Sequence, residues 1–257
     1  MNSKNTFFST KTILNCKGKL IDISSPIVMG ILNITPDSFY DGGRFIAENE
    51  ILLRTEQIIN EGAKILDIGA YSSRPDATHI SEEEELSRLR PILSLIKKKI
   101  PETIISVDTF RSNIAKTVVN EFDVDIINDI SAGNMDDKMF ETIADLQVPY
   151  IIMHMKGVPQ TMHLNPAYTD IIQEIIKYFA EKIQKLKLLG INDIIIDPGF
   201  GFGKNIDQNT RAKLLNLINQ HGSLRDIDDS SKTRTVYVFE IKKNNLKKII
   251  SKAATKR

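Results

Sequence analysis

The chain has 257 residues, 41% hydrophobic and 26% charged, with 34 Lys and Arg against 33 Asp and Glu for a formal charge of +1. That composition suits one large globular domain or two small ones, and its charge balance gives no electrostatic reason to expect nucleic acid or an acidic membrane as partner. A single cysteine, Cys16, excludes an internal disulfide; with no signal-peptide pattern in residues 1–20 and no apolar run of bilayer length, a cytoplasmic protein acting on small molecules is expected.

Six short, continuously apolar runs follow one another: SPIVMGILNI (25–34), AKILDIG (63–69), TIISVDT (103–109), VDIINDI (124–130), PYIIMHM (149–155) and DIIIDPG (193–199). Runs of this kind are strands buried on both faces. Between them NEILLRTEQIINEGA, SEEEELSRLRPILSLIKKK, FRSNIAKTVVNEF, DDKMFETIADLQ and PAYTDIIQEIIKYFAEKIQKLKLLG repeat apolar residues at three- and four-residue spacing, the mark of helices. Ser81 with Glu84 forms a capping box at the second helix start, and Gly190 suits a C-terminal stop for the fifth. The SEEEE run at 81–85 reads as a solvated first turn favoured by the helix dipole. Strand and helix in alternation make a parallel sheet, either a (β/α)8 barrel or an open doubly wound sheet.

The strand ends choose between them. Asn33, Asp67, Asp108, Asn128 with Asp129, His154 and Asp197 each close an apolar run. Any one of them taken alone could be a helix cap or turn former, but six polar ends favour the architecture in which all strand ends converge on one mouth, the barrel. The other candidate motifs are weaker. His79, His154, His163 and His221 lack metal-ligand spacing, with His154 read as a mouth residue and His163 as a surface one. No Ser, His and acid constellation is evident. GFGFG (199–203) has neither the ending of a P-loop nor the spacing of a dinucleotide fingerprint.

In order and spacing, MGILNITPDSFYDGGRF (29–45), LDIGAYSSRP (66–75), SVDT (106–109), INDISAG (127–133), MHMKG (153–157) and DPGFGFGK (197–204) resemble the motifs of the dihydropteroate synthases, over about residues 15–209. The resemblance implies a (β/α)8 TIM barrel that condenses 6-hydroxymethyl-7,8-dihydropterin pyrophosphate with p-aminobenzoate to give dihydropteroate and pyrophosphate in folate synthesis, and that is a sulfonamide target. It assigns Asp108, Asn128 and Asp197 to the pterin ring, with Met153 and Phe202 in apolar or stacking contact and Lys204 among the substrate-binding residues. Asn33 matches the family's Mg²⁺ position, where most ligands must come from substrate phosphate and water. Pro36, Phe39 and Asp41 belong to a closing first loop whose Gly42 and Gly43 provide flexibility; Ser73 and Arg74 belong to the second loop. Ser73 stands where threonine is more usual, Asp76 where glycine is, and Tyr40 where a small residue is. In the family the C–O bond breaks early to leave a pterin cation, so catalysis is charge stabilisation and positioning more than proton transfer. The resemblance also implies a homodimer.

The last fifty residues depart from the pattern. The family's seventh strand leads to a Ser-Arg-Lys motif and its eighth to an Arg-Val-His motif, and neither is present after Asn209. Residues 206–257 carry 12 Lys and Arg against 5 Asp and Glu, while the rest of the chain carries 22 against 28. The expectation is therefore a barrel portion at 1–209 and a divergent basic segment at 210–257, with a helix near 208–220 and one strand, TVYVFEI (235–241), so that the barrel is incomplete or altered at strands 7 and 8. Lys232 and Arg234 read as solvated linker charges. The alternative to an active synthase is a catalytically inactive pterin-binding protein, or a truncated or frameshifted synthase.

Overall fold

The computed structural model describes residues 13–34, 44–72, 79–157, 168–199, 202–204 and 233–236. It opens with a hairpin, β1 (Ile13–Cys16) and β2 (Lys19–Asp22), that the sequence reading did not anticipate. Lys17 and Gly18, both at positive φ, make its two-residue turn, as the twist of a tight hairpin requires.

Each of the six apolar runs then contains a strand: β3 (Ile27–Asn33), β4 (Ala63–Gly69), β5 (Ile104–Asp108), β6 (Ile126–Asp129), β7 (Tyr150–Met153) and β8 (Ile194–Asp197). Among the described residues five helices lie between them: α1 (Arg44–Asn60), α2 (Glu82–Lys99), α3 (Ser112–Phe122), α4 (Met139–Leu146) and α5 (Ile171–Leu188). Helix α1 begins five residues earlier than its apolar spacing suggests. Ser81 Oγ accepts from the Glu84 N–H at 3.1 Å, capping α2, while the Glu84 carboxylate is engaged by Arg88. At the end of α5, Gly190 has φ +83°, its N–H donates to Lys187 O, and Ile191 N–H donates to Leu186 O, the paired bonds of a Schellman stop.

Strands β3 to β8 are parallel and adjacent in chain order, and they curl into an incomplete barrel with helices outside. A further strand, β9 (Thr233–Val236), pairs antiparallel with β3, from Ile27↔Val236 to Gly30↔Thr233. It begins two residues before TVYVFEI and ends within it, and it places Arg234 in the sheet opposite Met29, a correction to its reading as a linker charge. The predicted helix near 208–220 lies outside the described residues.

Successive side chains on a strand point to opposite faces, and the two faces here have different partners. Leu66, Ile68, Ile105, Val107, Ile127, Tyr150, Ile152 and Ile196 pack outward against Leu89, Leu93, Val118, Ile143 and Phe179 of the helices. Gly30 lets α1 approach β3, since a Cβ there would lie 2.1 Å from Ile58 Cγ2. The inner face begins with Met29, Ile65, Ile126, Ile151 and Ile195, which bury Leu14 and Cys16 of the hairpin. The hairpin thus plugs the N-terminal end of the barrel, tied by Lys17 to Asp123 and by Lys19 to Asp125 at 3.2 Å. Burial there pushes the Cys16 thiol up to about 12, which leaves it an inert apolar residue.

Candidate functional site

One step along the pleat from that apolar layer, the inner face turns polar. Asp67 Oδ1 accepts from Ser106 Oγ at 2.7 Å and Oδ2 from Asn128 Nδ2 at 3.0 Å, all three residues being buried. The bond to Asp67 uses one of the two Asn128 amide donors and fixes which way the amide faces. The strand registers place Asn33 beside Gly69, Gly69 beside Asp108 and Asp108 beside Asn128. A Cβ on Gly69 would sit 3.4 Å from Asn33 Oδ1 and 3.7 Å from Asp108 Oδ2. The missing side chain therefore leaves a gap at the barrel mouth into which an amide oxygen and a carboxylate both reach.

The far wall comes from β7 and β8. Asp197 follows the register of Met153, and its Oδ1 accepts from the Gly199 N–H at 2.8 Å. Ile130, Met153 and Met155 form a small apolar cluster against which Phe202 packs. Lys204 is buried behind this wall. Its ammonium donates to His154 O, Gly199 O and Phe202 O, and burial pulls its pKa down to about 7 despite the nearby Asp197 carboxylate.

Two polar strand ends belong to the other face. Asp129 is fully buried and accepts from Ser131 N–H, Ser131 Oγ, Gly133 N–H and Tyr150 O–H at 2.6–2.7 Å. It folds the loop after β6, and burial still raises its carboxyl above the ordinary range. His154 lies among Tyr178 and Phe179 of α5 rather than in the mouth where the sequence reading put it. Burial holds it neutral, lowering its pKa to about 3, and its Nδ1 is buried without a hydrogen-bond partner among the described residues.

A further network went unseen in the sequence. Glu85, expected in a solvated turn, is fully buried, accepts from Thr109 Oγ1 at 2.8 Å and is paired with Arg111. Arg111 also donates to Ile80 O at 2.6 Å and Ser81 O at 3.2 Å, with its guanidinium over the Phe110 and Tyr71 rings. Burial raises the Glu85 pKa against the pull of Thr109 and Arg111. The only hint in the sequence is position: Glu85 follows the apolar phase of α2 that continues to Leu89 and Leu93. The network ties the residues that flank the second loop to the start of α3.

Pro36, Phe39 and Asp41 of the first loop and Ser73 and Arg74 of the second lie outside the described residues. Among the described residues no cluster of three or more His, Cys, Asp or Glu could hold a metal ion. The donors present at Gly69, an amide oxygen and a carboxylate, fit a hard cation that brings most of its oxygens with it from a diphosphate and water. No described helix is long and apolar enough to cross a membrane.

A family model described as pterin binding enzyme matches residues 29–224. The chain is 44% identical over 188 residues to the folate synthesis bifunctional protein of Arabidopsis thaliana, covering 71% of this chain but only 39% of that longer protein. With the dihydropteroate synthase of Haemophilus influenzae it shares 38% identity over 209 residues, 80% of this chain and 74% of the relative. The solved structure of Xanthomonas albilineans dihydropteroate synthase with 4-aminobenzoic acid superposes with a TM-score of 0.71 at 35% identity, covering 82% of this chain and 76% of the other.

Proposed function

This chain belongs to the pterin-binding enzyme family and is dihydropteroate synthase-like, and on that premise we propose that it condenses 6-hydroxymethyl-7,8-dihydropterin pyrophosphate with p-aminobenzoate, releasing dihydropteroate and pyrophosphate for folate synthesis. The observation that carries this reading is the buried Ser106–Asp67–Asn128 chain beneath Asp108 on the inner face. A pterin edge alternates N–H donors with N and O acceptors, and a buried site rejects any ligand that leaves its polar atoms unmatched. Asp108 and Asp197 accept from ring and amino donors, Asn128 adds its oxygen, and Met153 with Phe202 covers the apolar face. The Xanthomonas relative's complex with 4-aminobenzoic acid supports the second substrate.

In the reaction the C–O bond to the diphosphate breaks, a C–N bond to the aniline nitrogen forms, and that nitrogen loses a proton. The protein's part is to orient the two substrates and stabilise charge. Asn33 would hold Mg²⁺, which when bound neutralises charge on the departing diphosphate. Pro36, Phe39 and Asp41 would complete the site from the first loop, and Ser73 and Arg74 from the second. Residues 1–209 form the pterin-binding portion and 210–257 a divergent basic segment, in a cytoplasmic homodimer.

A second reading, a pterin-binding protein without turnover, is favoured by β9. Its antiparallel course puts Val236 at the hairpin end beside Ile27, so its C-terminal end cannot deliver diphosphate-binding groups to the mouth as a parallel strand would. Purified full-length protein incubated with both substrates and Mg²⁺ decides between them by chromatography. Dihydropteroate formation supports the synthase; pterin binding without product supports the second reading; no pterin binding sinks both.

A further inference from the structure

Lys204 has its full donor set occupied inside the protein. An ammonium has three N–H donors, and here they meet His154 O at 2.9 Å, Gly199 O at 2.8 Å and Phe202 O at 3.1 Å. Those carbonyls come from the end of β7 and from the loop after β8, so one cation holds two segments together. Gly199 makes the approach feasible: it has φ +66°, and a Cβ there would lie 2.2 Å from His154 O, so no other residue fits. The same glycine links the lysine to the site. Its C=O accepts from Lys204 while its N–H donates to Asp197 Oδ1 at 2.8 Å. The main chain completes the tie, since His154 N–H donates to Asp197 O at 2.9 Å.

We propose that Lys204 is a positioning residue for pterin recognition, gathering the carbonyls of His154, Gly199 and Phe202 so that the Gly199 N–H holds the Asp197 carboxylate in its ligand-binding orientation, and that it does not itself touch substrate. The inference rests on the reading of Asp197 as a pterin ligand. It also accounts for a charge buried at a cost: the carbonyls are drawn together only by a full ammonium, and a neutral amine keeps two donors for three acceptors.

The surroundings make this pH-dependent. Asp197 on β8 attracts the ammonium, His154 on β7 stays neutral down to about 3, Lys156 after β7 is paired with Glu174 of α5, and the Tyr168 hydroxyl bonds to Gly203 O. Lys204 itself titrates at about 7, below its ordinary 10.5. Its charged form dominates below that pH, and pterin affinity belongs to that form. Stability has the opposite sign: from about 7 up to 10.5 the unfolded chain binds more protons at this lysine than the folded one, so its contribution to stability rises with pH across that window.

The test is calorimetric titration of the full chain with 6-hydroxymethyl-7,8-dihydropterin pyrophosphate from about pH 6 to about pH 9, alongside melting curves. Wild-type affinity is expected to fall through about pH 7 while the melting temperature rises relative to Lys204→Arg. Lys204→Arg, which keeps its charge throughout, is expected to bind within about threefold of wild type at low pH and to lack the fall, a comparison in which the ligand's own titration cancels. Lys204→Met is expected to bind roughly tenfold more weakly at low pH, about 1.4 kcal/mol. If Lys204→Met matches wild type while Asp197→Asn is impaired, the positioning role is overturned and the Asp197 reading survives. If Asp197→Asn also matches wild type, or wild type binds no pterin, the functional reading fails and takes this inference with it. Should the methionine variant not fold, parallel wild-type and arginine pH profiles overturn the proposal on their own.

Discussion

At the hairpin end of the sheet the inner face carries Ile65, Ile126, Ile151 and Ile195, and two residues further along the same strands it carries Asp67, Asn128, Met153 and Asp197. The two layers are about 7 Å apart and share one backbone, yet the first is sealed by Leu14 and Cys16 while the second meets a gap over Gly69. Stability and recognition are thus separated along the strand axis. The strands need their apolar layer to hold the plug, and only once it is in place can buried carboxylates be held two residues beyond it. Substitutions at the two ends should therefore have effects that do not mix.

The largest effect is expected at the base. Leu14→Ala should cost about 2–5 kcal/mol of stability in urea unfolding and leave kcat/KM per folded molecule unchanged; a loss of turnover without loss of stability would erase the distinction. At the mouth, Asp108→Asn should lower kcat/KM on the order of 100-fold, about 2.7 kcal/mol, with the melting temperature little altered. The third effect concerns the helix face. His154 is neutral in the fold, lowered to about 3 from 6.5, so the stability this provides is present above its ordinary value and is lost as pH falls from there, by about 1.4 kcal/mol per pH unit. The difference in melting temperature between wild type and His154→Phe should be constant above about pH 6.5 and shift against wild type below it. The smallest effect is at the surface tie of the plug. Lys19→Ala, removing a half-exposed partner of Asp125, should cost less than about 1 kcal/mol because Lys97 and the Ile105 N–H still meet that carboxylate.

Much of the barrel portion was legible because continuous apolar runs have few other uses: each of the six contains a strand, and the strands pair in chain order. The hairpin was not legible. Its two strands are four residues each, and their hydrophobic partners, Met29 to Ile195, are spread over the rest of the chain. Glu85 was misread for a related reason. Four successive glutamates look alike in sequence, and only the helix phase and the arrival of Thr109 and Arg111 separate the buried one from its neighbours. Asn128 and Asp129 illustrate the same limit at the site, being adjacent in sequence, both buried, and opposite in direction. The tail departs from the family pattern in its composition, but the antiparallel direction of β9 is a matter of pairing.

The sequence by itself determined the parallel order of the strands and the polar character of their ends, because apolar length and the residue closing each run are local properties. Which of those polar ends face the pocket was decided by the tertiary structure. The pleat sets only that neighbours oppose one another, and the packing of α5 on one face and the hairpin under the other decides which set points inward. Lys204 depends on that same step: the His154 carbonyl it binds stands fifty residues away in the chain, and only the pairing of β7 with β8 brings it within reach.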